Sequence, residues 1–150
     1  MDGGEQTGPL SVVKDGEWAG WGCWVGDPFE DHAGPFYFRI EPDGQTVCAM
    51  RAAPHQMNTS GYMHGGAIMT FADFSLFMFA RDALAEERGV TATLNGEFIG
   101  AVQLGALVEC RGEVVKAGRS MIFLRGLIAT GGEPVMTFSG VIKKLGPRKR

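Results

Sequence analysis

NTSGYMHGGAIMTFADFSLF, residues 58–77, decides how the rest of this chain is read. It sets Asn58, then His64-Gly65-Gly66, then a lone Asp73 seven residues beyond the second glycine. Two glycines followed by an unbroken helical run make a helix N-terminus that atoms of another molecule can approach closely. From Ala67 to Ala80 the only polar residues are Thr70, Asp73 and Ser75. A helix apolar on nearly every side is buried, so Asp73 is expected to be a carboxylate held inside the protein or at a subunit interface. Burying such a group is costly unless it has partners or chemistry to perform. That points to an active site.

Outward from this stretch, the helical pattern runs from about Gly66 to Arg88, with AEER solvating its last turns and Gly89 placed to terminate it. At ~1.5 Å per residue such a helix is over roughly 30 Å long. Upstream, FYFRI (36–40) and TVCAMRA (46–52) flank Pro42-Asp43-Gly44 and read as a β-hairpin. Downstream, strands are expected at 90–99, 105–116, 120–130 and 134–144. Lys116–Ser120 and Thr130–Glu133 join the last three as tight hairpins. In the first of these strands Thr91, Thr93, Asn95 and Glu97 alternate with Val90, Ala92, Leu94, Gly96 and Phe98, which predicts one polar face. A helix this apolar needs more than one covering surface, and an antiparallel sheet curled around it supplies that. The fold class is α+β. Residues 1–34, with Trp18, Trp21 and Trp24 and no sustained period, read as a cover segment of the same domain. The domain proper spans 35–144, and 145–150 is a basic, solvated tail.

The bulk properties narrow the function. A chain of 150 residues suits one domain, and 45% hydrophobic with 21% charged residues is an ordinary globular composition. A net charge of -3 gives no footing for a nucleic-acid binder. Cys23, Cys48 and Cys110 are far apart in sequence and odd in number, which fits reduced thiols in a cytoplasm. The start MDGGEQTGPL lacks a signal pattern, and the apolar helix is broken by Asp73 and Arg81-Asp82, short of the ~20 residues a membrane span needs. A cytoplasmic protein with no membrane partner is expected. His32 and His55 read as surface or packing residues, and the scattered histidines and thiols show no metal-ligand spacing. Neither GxSxG, GxxxxGK[ST] nor GxGxxG occurs.

Asn58, His64-Gly65-Gly66, Asp73 and the post-helix Gly89-Val90-Thr91 together resemble the PaaI-type branch of the hotdog-fold acyl-CoA thioesterases, the 4HBT superfamily. The likeness in element order extends from about residue 35 to 144. It implies a hotdog fold, an antiparallel sheet wrapped around one long central helix. It also implies hydrolysis of an acyl-CoA thioester to a carboxylate and free CoA, with no cofactor beyond the coenzyme A of the substrate. By this resemblance the Gly65 N–H polarises the thioester carbonyl and Asp73 is nucleophile or general base. Thr91, a threonine where many relatives carry serine, orients water or the aspartate, and Asn58 and His64 support the pocket. Gly66, Phe77, Arg119 and Ser120 are the corresponding substrate-binding candidates, Arg119 toward coenzyme A phosphates. The phenylalanines of the helix are otherwise expected in the core, and the tryptophans either cover the fold or close the acyl end of the site. Alternatives are a hotdog enoyl-CoA hydratase or dehydratase, and a non-catalytic acyl-CoA-binding protein.

One expectation needs no family. Gly65 and Asp73 stand eight residues apart on one helix, ~12 Å along its axis. A carbonyl carbon needs its polarising donor and its attacking group both within roughly 3–3.5 Å. One chain cannot supply both, so catalysis predicts two facing helices in an isologous homodimer. The resemblance allows a dimer of dimers as well.

Overall fold

The computed structural model describes residues 10–147. Residues 1–9, read above for a signal pattern, and 148–150 of the basic tail lie outside the described residues. The element at the centre is α2, Gly65–Phe79, which buries Ile68, Phe71, Ala72, Phe74, Ser75, Leu76 and Met78. Its apolar surroundings come from one antiparallel sheet. The strands are β1 (Leu10–Val12), β2 (Gly22–Trp24), β3 (Tyr37–Ile40), β4 (Thr46–Arg51), β5 (Glu87–Phe98), β6 (Leu107–Ala117), β7 (Met121–Thr130) and β8 (Glu133–Pro147). Their order across the sheet is β1-β2-β3-β4-β6-β7-β8-β5. This is the α+β hotdog arrangement expected from the sequence.

The helix seats closely because the sheet offers glycines beneath it. A Cβ at Gly140 of β8 would lie 2.5 Å from Leu76, and one at Gly112 of β6 would lie 2.5 Å from Phe79. At the β3 side, Phe36 packs its ring 5.5 Å from Phe71 and 5.4 Å from Phe74, closing the core at the hairpin. Cys48 and Cys110, remote in sequence, are direct cross-strand partners on β4 and β6 and are fully buried. Burial raises both thiols, Cys110 to about 12, so they stay protonated and inert.

Several elements differ from the expectation. The central helix ends at Phe79, about 22 Å from its start at ~1.5 Å per residue, and a separate turn of helix, α3 (Arg81–Leu84), follows. Glu87 and Arg88 are good helix formers, yet they join β5, where Glu87 pairs with Pro147. Tertiary pairing overrides local propensity there. Gly89 therefore terminates no helix; it sits in β5, where a Cβ would press into Ile142 and Leu84. The left-handed residue that ends α3 is Ala85, at φ 51°. From residue 10 on, the cover segment forms regular elements, with β1 and β2 extending the sheet and a helix, α1 (Pro28–Ala33), lying against α2. Asp27 caps α1 by accepting from the Phe29 and Glu30 N–H groups, and Pro28 occupies its first position. Leu145–Pro147 belong to β8 rather than to a tail. No helix of the described residues is long and apolar enough to cross a membrane.

Candidate active site

The loop before α2 is held from below. Buried Gln56 accepts from the Ala53 N–H at 2.9 Å and donates to the Ala33 carbonyl at 2.8 Å, tying the loop to the end of α1. The Gln56 carbonyl in turn accepts from the His64 N–H at 2.8 Å. His64 is the N-cap of α2, its Nδ1 accepting from the Gly66 N–H at 2.8 Å. His64 thus occupies the Gly66 donor and leaves the Gly65 N–H with no protein partner among the described residues. An unpaired N–H at a helix N-terminus sits in positive potential, suited to a developing oxyanion. Asn58 shapes the same loop from its exposed side: its Oδ1 accepts from the Ser60 and Tyr62 N–H groups at 2.9 and 3.2 Å.

Two turns along α2, Asp73 is half-buried. Thr91 Oγ1 donates to Asp73 Oδ1 at 2.5 Å, a short charge-assisted bond that fixes one carboxylate oxygen and leaves the other available. The placement of Thr91 depends on an irregularity. Thr91 pairs with Ile142 and Thr93 with Val141, so Ala92 is an extra residue in the β5 ladder. The bulge reverses the face that each side chain takes. Before it Gly89 and Thr91 turn toward α2; after it Leu94 does, while Val90 is 44% exposed. The uninterrupted polar face expected for this strand is therefore absent.

Beside Asp73 lies a groove of about 320 Å³ lined by Asp27, Phe29, Glu30, Met69, Thr70 and Asp73. Of this lining the sequence reading named only Asp73 as a site residue, and Glu30 is the most perturbed of those it missed. Burial pushes its carboxyl up to about 7, with further contributions from the negative charges of Asp27, Asp73 and Asp31. The signal was present as Asp27-Pro28 followed by Glu30 and Asp31, a helix start with acids in its first turn.

The remaining candidates lie elsewhere. Phe77 packs one turn beyond Asp73, near Gly89, and does not line the groove. Arg119 and Ser120 are exposed in the β6–β7 hairpin, where the Ser120 carbonyl accepts from the Lys144 N–H. His55 reaches the Gly34 carbonyl at 2.8 Å, a packing contact. Trp18 stacks on Tyr37 and Trp21 meets Trp18 edge-on, covering the outside of the hairpin, whereas Trp24 packs against the core. Among the described residues no group of three or more His, Cys, Asp or Glu could hold a metal ion.

The profile described as the thioesterase superfamily matches residues 60–137, from the loop ahead of His64 through Asp73 and Thr91 into β8. The chain belongs to the thioesterase superfamily. It is thus an enzyme of the thioester hydrolase class. A Pseudomonas aeruginosa protein with a provisional esterase name, PA0474, is 32% identical over 115 residues, 76% of this chain and 86% of its own. Bovine acyl-coenzyme A thioesterase THEM4 is 29% identical over 125 residues, covering 81% of this chain and 51% of that protein. Among solved structures, a mutant of the phenylacetic acid degradation protein PaaI from Thermus thermophilus superposes with a TM-score of 0.67 at 26% identity. That match covers 79% of this thioesterase chain and 100% of the other.

Proposed function

We propose that this protein hydrolyses acyl-CoA thioesters, with Asp73 driving the attack on a carbonyl polarised by the Gly65 N–H of a facing subunit. The observation that carries the reading is the 2.5 Å bond from Thr91 to Asp73 beside an open groove. A half-buried carboxylate with one oxygen anchored, in the wall of an open groove, fits a chemical role. Asp73 acts as nucleophile on the carbonyl carbon or as base on a water; in either case water ends in the carboxylate product and the proton on the CoA thiol. An N–H donor such as that of Gly65 stabilises the oxyanion by about 3–4 kcal/mol. Asn58 and His64 keep that N–H aimed outward, and Gly66 gives the substrate close access to it. The exposed Arg119-Ser120 hairpin lies beside exposed Lys143 near the end of β8, cations suited to coenzyme A phosphates. The bovine relative's name supports coenzyme A as the thiol partner. The three unpaired thiols are consistent with a cytoplasmic setting.

The proposed pairing of two copies is supported by β5. It is the last strand of the sheet, and its outer edge has no strand partner among the described residues. That edge carries exposed Val90 and Phe98, with Ile99 just beyond it. Such an edge invites pairing with another chain. Thr91, at one end of β5, holds Asp73, while Phe98, at the other end, lies 3.5 Å from where a Cβ of Gly65 would be. Antiparallel pairing of two β5 strands about a twofold axis brings Thr91 and Asp73 of one copy toward Phe98 and Gly65 of the other. The ~12 Å separation within one helix is bridged in that way.

The test is thiol release from a panel of acyl-CoAs, followed with a chromogenic thiol reagent. Wild type is expected to hydrolyse some members, and Asp73→Asn to lose roughly 100- to 10,000-fold while remaining folded. Saturable acyl-CoA binding with no release by wild type overturns the proposal.

A further inference from the structure

A second cavity adjoins the groove that holds Asp73. It has about 240 Å³ and lies between β2, α1, β3 and α2, with Cys23, Trp24, Glu30, Phe36, Tyr37 and Phe74 in its wall. Glu30 lines both spaces, and Phe74 directly follows Asp73 in the chain, so the two meet at the candidate reaction centre with Glu30 at the partition. Of these wall residues only Phe74 falls within the part of the chain matched by the superfamily profile. The rest come from the segment before residue 60, which makes this cavity a feature that the N-terminal elements build onto the common fold.

We propose that this cavity receives the acyl group of the substrate, that it takes uncharged apolar groups of limited size, and that the acidic partition at Glu30 excludes acyl groups ending in a carboxylate. The inference rests on Asp73 being the hydrolytic group. Size sets the first limit. A dry cavity of about 150 Å³ holds benzene, so this one accommodates a single ring with a short linker or an alkyl chain of roughly eight or nine carbons. Trp24, Phe36 and Phe74 supply the apolar surface that such a group needs.

Charge sets the second limit. Asp27 at the N-cap of α1 and Asp31 within it flank Glu30, Asp73 faces it from α2, and Cys23 and Tyr37 are the titratable side chains on the β2 and β3 walls. No lysine, arginine or histidine lines either space among the described residues. A carboxylate carried into the cavity would lose water and gain no cation, which is strongly unfavourable. Above pH 7, where Glu30 ionises, the exclusion sharpens.

Cys23 reports on occupancy. Cys48 and Cys110 are fully buried, so Cys23 is the thiol open to alkylation in the native protein. Burial and Asp31 raise it, so iodoacetamide labelling is run at pH 9. In Asp73→Asn, which preserves substrate, saturating hexanoyl-CoA is expected to slow Cys23 alkylation about fivefold or more; glutaryl-CoA and S-methyl-CoA are expected to leave it unchanged. In the otherwise native enzyme, Cys23→Phe is expected to lower the ratio of kcat/KM for hexanoyl-CoA to that for acetyl-CoA by roughly tenfold or more. Equal protection by S-methyl-CoA, or an unchanged ratio in Cys23→Phe, overturns the assignment. Protection by hexanoyl-CoA in a protein whose wild type releases no thiol keeps the cavity assignment and removes the hydrolytic one.

Discussion

The bond between Thr91 and Asp73 is where a sequence pattern becomes a chemical statement. A hydroxyl after the helix that orients water or the aspartate was legible from the family resemblance, but the strand geometry around it was not, since the bulge at Ala92 is announced by no alternation of polar and apolar residues. Thr91→Val keeps shape and removes the donor. A hydrogen bond to a charged group is worth about 1.5–3 kcal/mol, so kcat is expected to fall roughly 10- to 100-fold in thiol-release kinetics with little change in KM. Glu30 is the opposite case. The cap signal at Asp27-Pro28 stood in the sequence without being read as a helix, and the significance of Glu30 arises only when α1 packs over α2 and brings it to Asp73. Its raised carboxyl makes stability depend on pH with a definite sign. Between the ordinary value of 4.5 and about 7 the native state keeps a proton that the unfolded chain releases, so stability falls as pH rises through that window. Glu30→Gln is expected to flatten this fall and to be more stable than wild type at pH 8, read from urea unfolding of both proteins at pH 5 and pH 8. Parallel pH dependences of the two proteins would remove Glu30 as its source.

Among the elements, α2 and the strands β3, β4, β6, β7 and β8 were legible because each is long or strongly patterned enough for its period to show. The misread boundaries share a cause: contacts distant in sequence outweigh local preference. Helix-forming Glu87 and Arg88 are drawn into β5 by β8, and β1 and β2, three residues each, are too short to show any period. The glycines of the sheet were equally opaque, since nothing local distinguishes a glycine that bends a chain from one that admits a helix. Gly140 is of the second kind. An added methyl would meet Leu76 at 2.5 Å and the Thr93 carbonyl at 3.0 Å, and the helix has no room to retreat from a sheet that curls around it. Gly140→Ala is expected to cost about 1–3 kcal/mol, measured as a lowered midpoint in chemical denaturation. A methyl absorbed without loss would mean that α2 is less tightly seated than these contacts imply.

At the scale of the whole molecule, the helix that carries Gly65 and Asp73 keeps them ~12 Å apart along its axis, and the proposed dimer joins two copies through the β5 edge, which has no strand partner among the described residues. The proposed pairing would assign the two groups of each site to different subunits, which subunit mixing can test. Gly65→Pro is the informative partner for Asp73→Asn. Proline is favoured at the first helical position, and His64 already has the extended backbone that a following proline requires, so the fold tolerates the change while the N–H donor disappears. Each variant alone lacks one group in every site and is expected to be inactive. In a mixed dimer, Gly65 of the Asp73→Asn subunit faces Asp73 of the Gly65→Pro subunit, restoring one complete site, while the second site lacks both groups. Random reassociation makes about half the dimers mixed, each with one of its two sites whole, so equal amounts of the two variants are expected to recover about a quarter of wild-type activity. Recovery requires that the carbonyl donor and the attacking carboxylate come from different chains. If each site were built within one chain, every subunit would carry a defective site and mixing would restore nothing, even with dimers formed in full.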